Sequence, residues 1–313
     1  MLAAGEVIAE KYRLLEVLGE GAAATVWLAR DSKLGIDVAI KTLRPRLATS
    51  GRMLRRFVRE AEVGERMLSP HIVKVLARGV TEKNVPYTVY EHLDGRDLAT
   101  VLKDVGRFGF GDARTVVFHA CRALARAHSV GVMHRDVKPE NLFVTQDDKG
   151  KLLVKVLDFG VAQVCCSVDA DKPIVGTLEY IAPDILLGER ECDVQGDLWS
   201  LGVVAFECLT GEMPFPAKTV GELVLRHAKN DRKPLRELRE DAPAALEAWI
   251  DRALARDHEK RFASAKDMAD ALEDALKGVE PRTTNKPIPP STTPPRRMSG
   301  TMPYSIIRKD EGD

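Results

Sequence analysis

The sequence predicts an α+β chain in two unequal lobes, a small β-rich one with a single helix and a larger helical one. Two observations carry this expectation. Apolar residues alternate in the first quarter of the chain, then recur at helical spacing through most of the remainder. Length sets the outer limit: 313 residues, at about 150 per domain, give two lobes or domains plus whatever the end of the chain holds.

From Lys11 to about Arg78 the strand-like alternation runs through VLGEGAAATVWLAR and IDVAIKTL, and MLRRFVREAEVGERML supplies the one helix. Beyond Gly95, four stretches are long enough for helices and mostly end near a glycine: TVVFHACRALARAHSVGV, LWSLGVVAFECLTG, LEAWIDRALA and AKDMADALEDALKG. Short apolar runs at Asn141–Val144 and Leu152–Leu157 flank the turn-forming QDDKG and predict a β-hairpin among the helices. After Lys277, proline, threonine, serine and arginine dominate, with too few apolar residues to offset the entropy of ordering. Residues 277–313 therefore read as a tail or linker. No internal repeat of about 20 to 50 residues is visible.

Composition removes several function classes. Lys plus Arg and Asp plus Glu each number 47, so no global basic field exists to draw in nucleic acid or anionic lipid. With 44% hydrophobic and 30% charged residues, the chain is an ordinary globular protein, neither fibrous nor disordered throughout. Cys121, Cys165, Cys166, Cys192 and Cys208 have no metal-ligand spacing, and their odd number argues against a disulfide framework, which points to the reducing cytoplasm. The opening MLAAGEVIAEKYRLL mixes acids with apolar residues, unlike a signal peptide, and no run of about 18 apolar residues predicts a bilayer span. His71, His119, His128, His227 and His258 carry no ligand spacing and read as structural or surface residues.

The chemistry lies in a few short segments. Gly19-Glu20-Gly21-Ala22-Ala23-Ala24-Thr25-Val26 is a glycine-rich turn between two strands, where missing side chains let backbone N–H groups approach phosphate oxygens; a plain hairpin of small residues has the same look. Val38-Ala39-Ile40-Lys41 follows on the next strand, and alternation places Lys41 on the inward face with the Val-type core residues. An inward ammonium requires a partner. Glu60 or Glu62, in the helical RREAE stretch, can supply it, but residues two apart on a helix face about 200° from each other, so only one of them points at the strand. Farther on, His134-Arg135-Asp136-Val137-Lys138-Pro139-Glu140-Asn141 precedes the hairpin and Asp158-Phe159-Gly160 follows it.

That ordered set resembles the eukaryotic-type protein kinases from about Tyr12 to Leu276. The resemblance implies a bilobal protein kinase fold, with an N-lobe at about 12–93 and a C-lobe at about 96–276. It implies that Asp136 is the base for a substrate hydroxyl, with Lys138 beside the migrating phosphoryl as in the serine/threonine branch. Lys41, paired with Glu60, would contact the α- and β-phosphates, and Asn141 and Asp158 would hold Mg²⁺ as hard oxygen ligands. ATP with magnesium is the implied cofactor. The nucleotide would lie under Leu18, Gly19, Glu20, Gly21, Ala22, Ala23, Ala24, Thr25 and Val26, against Ala39 and Phe143. Tyr90 takes the gatekeeper position, and Glu91 to Leu93 the hinge that bonds adenine. Gly176 to Asp184 resembles the end of the activation segment, with Thr177 touching Asp136 and Lys138; Asp197 to Gly202 resembles the buried helix that anchors the catalytic loop.

Two positions depart from the family pattern. Ala24 replaces the third glycine, and Asp184 replaces the usual glutamate whose partner by resemblance is Arg261. The expected function is a non-specific serine/threonine protein kinase of the bacterial branch, acting in signal transduction on protein substrates and on itself, with dimerisation left open. The competing reading is a pseudokinase scaffold that binds partners without catalysis. Thr283, Thr284, Ser291, Thr292, Thr293, Ser299 and Thr301 in the tail are the expected autophosphorylation sites. Between Asp158 and Gly176 the only hydroxyl is Ser167; Asp169 and Asp171 stand where relatives place threonines, and they are expected to supply an anion for Arg135.

Overall fold

The computed structural model describes residues 2–21, 23–48, 50–159, 176–281 and 284. Strands β1 (Val7–Ile8), β2 (Tyr12–Glu20), β3 (Ala24–Asp31), β4 (Ile36–Leu43), β5 (Val75–Val80) and β6 (Pro86–Glu91) form an antiparallel sheet in the order β1-β2-β3-β4-β6-β5. Between β4 and β5 come the expected helix, here α2 (Gly51–Arg66), and before it a one-turn helix, α1 (Pro45–Ala48), beyond the single helix expected.

One face of this sheet buries Ile8, Leu14, Trp27, Val38, Ile40 and Val89 in a core of its own. Lys41 has the opposite parity to Val38 and Ile40 and shares its face with Ala39. The expectation that Lys41 sits with the Val-type residues is therefore corrected. Alternation holds, but the lobe's apolar core lies on the far side of the sheet, and the lysine faces α2.

The second lobe carries a small sheet of β7 (Arg96–Asp97), β8 (Leu142–Gln146) and β9 (Leu152–Val156). Strands β8 and β9 are the expected hairpin, paired from Leu142 with Val156 to Gln146 with Leu152. The helices are α3 (Leu98–Val105), α4 (Phe110–His128), α5 (Pro183–Leu186), α6 (Val194–Thr210), α7 (Val220–Lys229), α8 (Leu235–Leu238), α9 (Ala244–Ala253) and α10 (Ala265–Ala275). Helix α6 is apolar nearly all round, as a helix surrounded by protein must be, and packs against α4 and α9. At Gly202 a Cβ would stand 2.9 Å from that of Ala253, so only glycine lets α6 approach α9 this closely. The lobes are joined where Val73 N–H donates to Val156 O (3.1 Å) and Val156 N–H to His71 O (2.8 Å).

After α10, Leu276 is buried, Val279 packs against the helical core and Thr284 hydrogen-bonds to Asp112. The first residues beyond Lys277 thus lie on the domain. The remaining candidate tail sites, Thr283, Ser291, Thr292, Thr293, Ser299 and Thr301, lie outside the described residues, as do Ser167, Asp169 and Asp171.

Candidate active site

The glycine-rich turn joins β2 to β3, with Glu20 opposite Thr25 and Gly21 N–H donating to Ala24 O at 2.9 Å. A Cβ on Gly19 would meet nothing within 4 Å, and one on Gly21 only Ala24 O at 3.6 Å. Neither glycine has the positive φ that would demand it. Their missing side chains instead leave open space beside the backbone, which an anion could approach. Ala24 begins β3 opposite Leu43, a strand position where a Cβ is at home. Ala22 lies outside the described residues. Leu18 is exposed on the turn's leading strand, and Val26 lies opposite Lys41.

Lys41 Nζ lies 2.7 Å from Glu60 Oε1 and 2.8 Å from Asp158 Oδ1. Of the two candidate acids, Glu60 is therefore the partner. Glu62 turns away to Arg78 at 3.0 Å, as the helical spacing requires. Burial alone would lower the Lys41 pKa, but the charges of Asp158 and then Glu60 outweigh it and raise it above its ordinary value. Burial, helped by the Asp158 charge, leaves the Glu60 carboxyl raised in spite of Lys41. For Asp158 desolvation pushes upward too, yet the Lys41 charge and hydrogen bond prevail and its pKa is lowered. One cation thus serves two carboxylates, leaving a local surplus of negative charge.

The second group sits on the loop after α4. Asp197, four residues past the N-cap Asp193 of α6, is 1% exposed and receives the N–H groups of His134 (2.8 Å) and Arg135 (2.7 Å), with His128 Nε2 at 2.8 Å. Those bonds hold Arg135 at φ 67°, a conformation that would otherwise be strained. The buried His134 ring accepts from Asp136 N–H at Nδ1 (3.2 Å) and reaches Leu157 O through Nε2 (2.9 Å). Asp136 is then gripped by Lys138 Nζ, 3.0 Å from Oδ1 and 2.9 Å from Oδ2, and by Asn141 Nδ2, 2.9 Å from Oδ2. Asn141 Nδ2 also donates to Asp136 O at 2.7 Å, which commits the amide nitrogen and leaves Oδ1 as the side-chain oxygen for a cation. Leu157 N–H donates to Asn141 O (2.9 Å), tying this loop to Asp158, which itself sits at φ 43°.

Among the residues expected to line a nucleotide, Tyr90 pairs with Ala39 across β6 and β4, and its hydroxyl is 3.5 Å from Glu60 Oε1. Burial and the Glu60 charge raise the Tyr90 pKa, so the phenol stays neutral. The Glu91 side chain accepts from Lys74 N–H (2.8 Å) and Lys155 Nζ (2.6 Å), so it braces the lobe junction. Leu93 and Phe143 are half-buried, and Phe143 lies beside Gly95. Gly95 escaped the sequence reading. A Cβ there would stand 2.1 Å from Val144 O, so the chain can pass β8 only as glycine. The Thr177 side chain lies outside the described residues, and Arg135 Nε is buried with no hydrogen-bond partner among them.

Asp184 accepts from Arg261 Nη2 at 2.8 Å, both residues being buried, and Arg190 Nε lies 3.9 Å from its other oxygen. The carboxylate one methylene shorter than the family's glutamate reaches its arginine.

A family model described as the protein kinase domain matches residues 12–273. This chain belongs to that family. A solved kinase domain of Mycobacterium tuberculosis PknI superposes with a TM-score of 0.66 at 28% identity, covering 88% of this chain and all of that one. Among curated relatives, serine/threonine-protein kinase PknB of M. tuberculosis is 35% identical over 281 residues, or 88% of this chain and 44% of its own length. A probable serine/threonine-protein kinase of Clostridium acetobutylicum is 32% identical over 272 residues, 86% of this chain and 40% of its own length. The chain thus spans less than half the length of these relatives. The kinase domain has both lobes expected from the resemblance, and no helix among its described residues is long and apolar enough to cross a membrane.

Proposed function

We propose that the chain is an active serine/threonine protein kinase of the bacterial branch, taking the γ-phosphate of ATP to hydroxyls of protein substrates. One observation carries this reading: Lys41, Glu60 and Asp158 are already joined across three separate parts of the chain, within 2.7 and 2.8 Å. That connection needs α2 turned toward β4 and the Asp158 segment turned inward together. The scaffold reading has no comparable support.

The donor chemistry fits magnesium and a nucleotide. Asp158 and Asn141 Oδ1 are hard oxygen donors, the surplus negative charge at Lys41 calls for a further cation, and the glycine-rich turn leaves room for phosphates. Bound Mg²⁺-ATP supplies the transferable phosphoryl group. Asp136 accepts the proton of the substrate hydroxyl through a carboxylate whose direction Asn141 fixes. Lys138 places a cation beside it, offsetting negative charge where the new bond forms. Lys41 fixes the phosphates and is itself aimed by Glu60. Tyr90 closes the rear of the adenine pocket, and residues 12–276 are the catalytic unit, working in the cytoplasm.

The test is incubation with Mg²⁺ and labelled ATP, with and without a generic protein acceptor, followed by phosphosite mapping. Label on serine and threonine, lost in Asp136→Asn, is the expected result. Absence of transfer by the wild type, with ATP bound, would restore the scaffold.

A further inference from the structure

Helix α4 begins without a side-chain cap. Its N-cap residue is Gly109, which has nothing to offer the free N–H groups of the first turn. A threonine from 175 positions later in the chain stands there instead. Thr284 Oγ1 accepts from Gly109 N–H at 3.4 Å and donates to Asp112 Oδ2 at 2.5 Å, while Thr284 N–H donates to the same oxygen at 2.7 Å. Thr284 is only 9% exposed. Pro281 adds an apolar contact, because a Cβ on Gly111 would lie 3.2 Å from its own Cβ.

From this we infer that Thr284 is a phosphorylation-controlled latch. Unmodified, it holds the C-terminal segment against the start of α4; a phosphoryl group on Oγ1 drives it off. The hydroxyl bonds Asp112 only through its hydrogen, which phosphorylation removes. In its place comes a charge of about −1.5 to −2, set against the Asp112 carboxylate. The helix N-terminus pulls the other way, but with only about half an elementary charge, against the full charge of Asp112. Repulsion and the loss of the donated bond therefore prevail.

Burial also sets the order of events. Docked Thr284 cannot enter an active site, so it becomes an acceptor when the latch opens, and the phosphate then keeps it open. In that step a bond forms between Oγ1 and the γ-phosphorus of ATP, and the bond from that phosphorus to the β–γ bridging oxygen breaks. The hydroxyl proton goes to the catalytic base and ADP leaves. Only this source of phosphate rests on the proposed kinase activity; the latch geometry does not.

Trypsin reads the latch directly, since its cleavage site after Arg282 falls in the sequence between Pro281 and Thr284, the two residues that rest on the start of α4. The full chain should be cut there slowly. Thr284→Val, which keeps the shape and loses the hydroxyl, should be cut at least tenfold faster, as should Gly111→Val, while Thr284→Ser should match the wild type. Protein carrying phosphothreonine at 284, installed during translation, should be cut as fast as Thr284→Val. Equal rates for wild type and either the phosphothreonine form or Thr284→Val would overturn the latch. Incubation with Mg²⁺-ATP separates the two readings: phosphate should reach Thr284 severalfold faster in Gly111→Val than in wild type. Transfer to a generic acceptor but never to Thr284 would sink the modification and leave the kinase standing. No transfer to either would sink the kinase.

Discussion

Two places in this molecule gather carboxylates and cations, and they do so in opposite ways. In the cleft, Lys41 is shared by Glu60 and Asp158, and the Asp158 side chain is 47% exposed. In the interior of the helical lobe, Asp184 meets Arg261 with side chains 5% and 1% exposed, and Asp197 collects three donors at 1% exposure. The cleft has more anions than cations and an opening through which another cation can arrive. The interior is sealed, and each of its acids already has its donors. Access and charge balance, rather than residue type, thus divide groups left open to a ligand from groups that hold the shape. Breaking one should cost activity, and breaking the other stability.

Asp136→Asn tests the first half and carries the largest expected effect. The amide keeps the volume and can still accept from Asn141, but it cannot take a proton, so turnover should fall by about 10²–10⁴-fold. ATP affinity and the melting midpoint should stay near wild type. Lys41→Met should inactivate as well. Wild-type turnover in either purified variant would falsify the assignment.

Arg261→Ala tests the second half. It removes the hydrogen-bonded cation from buried Asp184 and leaves the more exposed Arg190 at 3.9 Å, a loss of up to about 3–5 kcal/mol, the scale for removing one partner of a buried pair. Denaturant unfolding should show the loss, while activity per folded molecule changes little. A variant that melts normally but has lost its turnover would reverse the division.

Tyr90 stands between the two classes, half-buried yet on the cleft side. Tyr90→Gly should open the space behind Ala39 and raise affinity for adenine analogues with a bulky rear group by roughly 10–200-fold, the scale of apolar fit in a pocket. No gain in affinity would mean that another side chain closes the rear wall.

The motif residues were legible in the sequence because each needs a fixed residue type at a fixed spacing. What remained hidden depends on how elements are turned. The alternation around Lys41 was visible, but not which side of the sheet holds the core, because Val38, Ala39 and Ile40 put apolar residues on both faces. Glu60 and Glu62 were equivalent until the rotation of α2 chose between them. Helix α3, of 8 residues, fell below the length at which periodicity speaks clearly. Gly95 and the Glu91–Lys155 pair are contacts between distant parts of the chain, 64 positions apart in the second case, and no local pattern announces them. The tail was read from composition alone, and composition says nothing about one threonine finding an uncapped helix.

The smallest effect concerns a half-buried group that stays uncharged, and it sharpens the interior side of the comparison. His119 stacks on His71 with ring centroids 4.1 Å apart, and its Nδ1 accepts from Val154 N–H at 3.2 Å. A second proton on the ring would have to go to that nitrogen and face a donor. Burial first, then His71 and Arg122, push the His119 pKa down to about 4, with Asp147 opposing weakly. In the unfolded chain the same ring titrates near 6.5. Between pH 6.5 and 4 the unfolded state therefore binds a proton that the folded state refuses, so stability falls as pH drops through that window and is unaffected by this residue above it. His227, also pushed to about 4 by burial, adds a slope in the same window. His119→Asn retains an acceptor for Val154 but does not titrate. Its unfolding free energy, followed from pH 7 to 4, should decline less steeply than that of wild type, by at most one proton's worth, with the His227 slope remaining. Identical slopes would show that His119 is already protonated, or equally hydrated, in the folded protein.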